Sequence, residues 1–162
     1  MYMLIVLEGL VMCFWLLLIC VVGIANGPVG LVVFYEQDVK DRVVEKGLTT
    51  AEKIKKASRI SGTALFLPLI TAVPAAVYFY NRINGFWDAF LQLTGIFMIM
   101  NLFDRLFIDE WWVGHTEAWR IPGTEDLMPY IPKKTRIRKW AGTLIGFPIL
   151  AAALAGVMQL FR

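Results

Sequence analysis

Histidine occurs once in these 162 residues and cysteine twice, so the usual material of metal and nucleophilic centres is scarce. No H-x3-H, H-E-x-x-H or paired C-x-x-C spacing is present, and no glycine-rich phosphate loop. Cys13 and Cys20 share one apolar run. On a helix their α-carbons would stand ~10.5 Å apart along the axis, too far for a disulfide, and buried thiols of this kind are inert. Charge is scarce as well, at 18% of residues with 58% hydrophobic and mean hydropathy +0.62, where a soluble domain carries ~25% charged and ~45–50% apolar residues. A net charge of +3 gives no ground for a nucleic-acid partner. A secretory signal would open with Lys or Arg, whereas MYMLIVLEGL offers Glu8, so this segment is expected to stay as a helix.

What the chain does have is apolar length. Segments at roughly 3–25, 60–80, 86–105 and 141–161 each approach the ~20 residues a helix needs to cross ~30 Å of hydrocarbon. The expectation is an all-α polytopic membrane protein, one transmembrane domain over 1–162 with four spans. Seven basic residues fall within 36–59 and seven within 105–139, against Arg82 and Arg162 elsewhere. The positive-inside rule then places loops 36–59 and 106–140 in the cytoplasm and both termini outside, in the cell membrane.

The apolar run after residue 25 continues to Tyr35, longer than one crossing, and NGPVG at 26–30 predicts a break there because Pro28 lacks an amide hydrogen. LVVFYEQDVKDRVVEKG then reads as one amphipathic helix leaving the membrane and stopping at Gly47. Thr49 with Glu52 predicts a capping box for a further helix running into the second span. Pro68 and Pro74 lie inside that span, where neighbours can satisfy the carbonyls they free. In the fourth span, Gly142 with Gly146 and Ala152 with Gly156 form small-xxx-small pairs, suited to packing within the chain or to a homo-oligomer.

Ionisable residues in or beside a membrane carry information by default. Asn101, Arg105 and Asp109 fall on one stripe of the third span, with Asp104 at its edge, and the following stretch adds Glu110, His115, Glu117 and Arg120. Trp111, Trp112 and Trp119 suit an interfacial anchor, but an anchor does not require this many acids. His115, Asp109, Glu117 and Asp104 are therefore the candidate acid–base residues, since a carboxylate beside an imidazole is the minimum for proton transfer near neutral pH. Asn101, Arg105, Glu110, Trp112 and Arg120 are the candidate ligand contacts. His115 and Glu117 would face one side of an extended segment, yet without metal-site spacing no metal is assigned and no cofactor is named. IPGTEDLMPYIP at 121–132 is expected as a structured loop folding its acids back over the helix ends.

Two functions follow as expectations. The first is binding of, or action on, an amphipathic lipid- or isoprenoid-like molecule at the cytoplasmic interface, with the polar rim holding the head group. The second is an oligomeric transporter or channel subunit using the intramembrane polar residues Glu8, Asp88 and Gln92, and a blander third is an accessory subunit.

Overall fold

The computed structural model describes residues 2–160, and every regular element among them is helical. In chain order these are α1 (Tyr2–Ile24), the short α2 (Gln37–Glu45), α3 (Ala51–Tyr80), α4 (Phe86–Val113) and α5 (Lys133–Gln159); all but α2 are long and apolar enough to cross a membrane. Phe161, the last residue of the expected fourth span, and Arg162 lie outside the described residues. The 81–85 turn sits with the start of α1 and the end of α5, where Asn81 Nδ2 donates to Glu8 at 2.6 Å and Gln159 Nε2 to the Asn84 carbonyl at 3.3 Å. The segments 25–50 and 114–132 share the other end, called here the loop end.

Helix α4 is the centre of the bundle. Ala89, Gln92, Leu93, Ile96 and Phe97 are wholly buried, between α1 on one side and α5 on the other. Two glycines set the α1–α4 distance reciprocally. A Cβ on Gly9 would come within 2.8 Å of Ile99, and a Cβ on Gly95 within 2.6 Å of Ile5. Each glycine is thus the notch for the other helix's isoleucine, which allows the close backbone approach that van der Waals packing in a membrane needs. Toward α5, Phe97 meets Phe147 edge-on at 5.7 Å, and Ala151 and Ala155 are fully buried. At Gly142, Gly146 and Gly156 a Cβ would meet nothing within 4 Å. The packing within the chain therefore uses the alanines rather than these glycines. Leu10 and Phe14 on α1, Phe66 and Leu67 on α3, and Leu144 and Ile149 on α5 face outward as an apolar belt.

The expected single helix from Leu31 to Gly47 does not form. After α1 ends at Ile24, Gly27 adopts φ 104°, and Pro28–Phe34 make a 3-10 segment folded back on α1, with Leu31 over Gly23. Tyr35 is extended and only Gln37–Glu45 is α-helical. Burial overrides periodicity here: the fold-back puts Leu31, Val32 and Tyr35 all inside. Gly47 does end α2, at φ 68°, with its amide donating to Val44 O and the Leu48 amide to Val43 O, a Schellman close. The cap of α3 is Thr50 rather than Thr49, its hydroxyl accepting from the Lys53 amide at 3.3 Å. Glu52 instead sits in the first turn, where the helix dipole favours an acid.

Helices α4 and α5 also overrun the apolar segments. The former continues as a wide π-type helix over Asp104–Val113 and the latter begins at Lys133, so the loop between them shrinks to 114–132. Those extra turns carry the ionisable side chains.

Candidate functional site

Spacing of four along α4 stacks Asn101, Arg105 and Asp109 on its inner face at the loop end. Asn101 is 3% exposed and Arg105 9%. Arg105 Nη1 stands 2.6 Å from Asp109 Oδ2, and its Nη2 pairs with Asp104. From α5, Lys139 Nζ reaches both Asp109 oxygens, at 2.6 and 2.8 Å. One turn deeper, the Thr143 hydroxyl has the Lys139 carbonyl at 3.1 Å and Asn101 Oδ1 at 3.4 Å, and its single proton serves one of them at a time. Asn101 Nδ2 donates to the Phe97 carbonyl at 2.8 Å. Two carboxylates and two cations thus neutralise one another where α4 meets α5, and only the Arg105 Nε among their polar atoms is buried with no contact at all. A charge removed from such a group would leave its partner buried and uncompensated.

The remaining acid–base candidates do not join this cluster. His115 ends the helical stretch, exposed, with Nδ1 2.7 Å from the Glu110 carbonyl. A carbonyl only accepts, so Nδ1 carries the proton in that contact. Glu117 follows in a 3-10 turn and pairs with Arg120 at 3.2 Å, both largely exposed. Only Thr116 between them is extended, and His115 and Glu117 are engaged by the Glu110 carbonyl and Arg120 rather than by Asp109. Among the described residues no three of His, Cys, Asp and Glu gather into a group that could hold a metal ion. Glu110 makes a loose pair with Arg136 at 3.4 Å, and Trp112 packs edge-on against Trp119 at 5.2 Å.

Loop 114–132 is held by side chains that charge and periodicity did not single out. Tyr130 is buried and stacks on Tyr35 at 4.6 Å. Its hydroxyl accepts from the Ile121 amide at 3.0 Å and lies 2.7 Å from Thr124 Oγ1, which donates to the Ile121 carbonyl at 2.9 Å. With that proton committed, the Tyr130 hydroxyl is the donor to Thr124, which closes a ring of three bonds. Tyr35 in turn donates to the Trp119 carbonyl at 3.2 Å. Burial pushes the Tyr35 phenol well above the ordinary tyrosine range, with Tyr130 and Asp109 adding to the shift. The acids of this loop do not fold back over the helix ends as expected. Asp126 pairs with Arg42 of α2 at 3.0 Å, which holds its carboxyl below the usual range, and Glu125 accepts from the Gly123 amide at 2.9 Å, with the same effect on its own.

An apolar groove of about 770 Å³ runs beside this loop, between Pro129 and Ile131 on one side and Ile137, Trp140 and Leu144 of α5 on the other. Lys133 and Arg136 also line it. A tryptophan, a lysine and an arginine just outside an apolar helix were the signal for it, but the opposing wall depends on how the loop folds.

At the opposite end, Glu8 of α1 receives Asn81 Nδ2 at 2.6 Å and Gln92 Nε2 at 2.9 Å. Gln92 is wholly buried, whereas Asp88 is exposed and stands outside this group. Between the two polar ends, the buried face of α4 is Leu93, Ile96, Phe97 and Met100. Comparisons with protein-family models, with curated proteins and with solved structures find no match to this chain.

Proposed function

We propose that the chain is a multi-pass protein of the cell membrane, its loop end in the cytoplasm, that binds an anionic amphipathic molecule such as a lipid or isoprenoid there. The observation that carries this reading is the α5 groove: Ile131, Ile137, Trp140 and Leu144 offer walls for a hydrocarbon chain, and Lys133 and Arg136 offer cations for its head group. Arg136 is half-exposed and its pair with Glu110 is long, so a ligand anion can displace that carboxylate at little cost. Arg105, the earlier candidate for the head group, is engaged by Asp104 and Asp109. Fourteen basic residues at the loop end support the cytoplasmic placement. The reading is confined to binding, which is what the groove and its two cations support.

Quenching of Trp140 by lipids with brominated chains tests it, on protein in nanodiscs, with Trp140→Phe as the blank for the other indoles. Anionic brominated lipid should quench at lower mole fraction than its zwitterionic counterpart, and Lys133→Ala with Arg136→Ala should weaken this on the order of tenfold, the worth of one charge-assisted contact. Equal quenching by both lipids, or by wild type and variant, would end the proposal.

A second reading, an oligomeric transport subunit, is favoured by the Glu8 carboxylate held between two amides inside the outer end of the bundle. Cation or proton flux in proteoliposomes that falls with Glu8→Gln would support it, and absence of flux at any pH would dismiss it.

A further inference from the structure

A second cleft, independent of the α5 groove, lies between α2 and the first turns of α3 and has a volume of about 420 Å³. Positions 37, 40, 41 and 44 form one face of α2, and positions 51, 54, 55, 58 and 59 one face of α3, each at helical spacing. The two faces meet across the cleft. Its floor is apolar, from Val33, Val44 and Ile54, while Lys40, Lys55 and Arg59 bring three cations and Ser58 a hydroxyl. Asp41 is the one carboxylate present, and it is engaged along its own helix by Gln37 Nε2 at 2.8 Å.

None of the three cations takes part in an ion pair among the described residues, in contrast to Arg42, Arg105, Arg120, Arg136, Arg138 and Lys139. Like charges gathered around one hollow repel, and an anion placed between them relieves the repulsion. A phosphodiester, with a single negative charge, would leave the cleft net positive; a phosphomonoester or diphosphate carries about two charges or more and presents a fan of acceptor oxygens to a guanidinium and two ammonium groups. Arg59 precedes the apolar part of α3, so the cleft opens where a head group of the adjacent leaflet sits.

From this juxtaposition we propose that the α2–α3 cleft binds a phosphomonoester or diphosphate group through Lys40, Lys55 and Arg59. The group can belong to a lipid head or to a soluble molecule, and the test has an arm for each.

Full-length protein in phosphatidylcholine nanodiscs is titrated with phosphatidic acid, with phosphatidylglycerol as the diester control, and separately with soluble inorganic pyrophosphate. Phosphatidic acid is expected to bind at least tenfold more tightly than phosphatidylglycerol, and Lys55→Gln with Arg59→Gln to abolish that preference, while Lys133→Ala with Arg136→Ala retains it. Pyrophosphate binding lost in the same cleft variant would support the site and assign it to a soluble phosphate. No preference for the monoester together with no pyrophosphate binding would overturn the inference, as would a folded cleft variant that binds like wild type. If the double variant does not fold, the phosphorus NMR spectrum of pyrophosphate decides with Lys40→Gln: broadening by wild type alone supports the site, and identical spectra refute it.

Discussion

Trp15 of α1 donates its indole hydrogen to the Ala64 carbonyl of α3 at 2.9 Å. Ala64 lies four residues before Pro68, so it is the acceptor that the missing proline amide leaves without a partner inside the helix. A side chain from another helix completes the broken ladder, in surroundings where no water would do so.

Trp15→Phe should therefore destabilise the bundle by about 1 kcal/mol, in the range of interhelical hydrogen bonds in membranes. In a Pro68→Ala background residue 68 regains its amide and the same change should cost much less. A double-mutant cycle from unfolding in mixed micelles measures this coupling; additive effects would show that the contact contributes nothing.

The Asp109–Lys139 pair lends itself to a similar cycle with larger stakes. Lys139→Ala leaves Asp109 to share Arg105 with Asp104, and Asp109→Asn leaves Lys139 partly buried without its carboxylate. Each single change is expected to cost about 2–4 kcal/mol, and the double replacement less than their sum, because breaking a buried pair exceeds the net worth of having it. Thermal melting of the four proteins in one detergent checks the order.

Alkali should loosen the loop end through Tyr35. Its folded-state pKa is raised by burial first, then by Tyr130 and Asp109. The neutral phenol therefore contributes stability that is fully present below the unfolded value of ~10 and lost as pH rises beyond it. Wild type should melt at progressively lower temperature above ~10, with one tyrosine ionising only on unfolding, while Tyr35→Phe should lose the Trp119 bond but show a shallower alkaline decline. Parallel pH profiles would contradict this.

Much of the architecture was legible because hydrocarbon imposes a simple rule: four apolar stretches became four long helices, and the break near Pro28 and the stop at Gly47 fell where backbone chemistry required. Departures from the expected elements are local. Leu31 to Tyr35 fit a helical period equally well, and only the hollow over Gly23 made the fold-back better; Thr49 and Thr50 compete for one cap, and the choice turns on a single residue of register. At the loop end the stripe of Asn101, Arg105 and Asp109 could be read from spacing within one helix. Its partners could not, since Lys139 and Thr143 come from another span, and Tyr35 and Tyr130 meet only through the fold-back of 28–35 and the fold of 114–132. Glu8 was visible as a costly intramembrane acid, yet its donors come from elsewhere in the chain: Gln92 through the parallel alignment of α1 and α4, and Asn81 through the 81–85 turn.

The order in which these helices leave the ribosome differs from the order in which they pack. The inward row of α1, with Gly9, Met12, Cys13, Leu16 and Cys20, is shaped mainly for α4, which is translated after α3. Until α4 is made, the isoleucine that fills the Gly9 notch is absent. A chain halted after residue 85 would have both early crossings but no centre for them to surround.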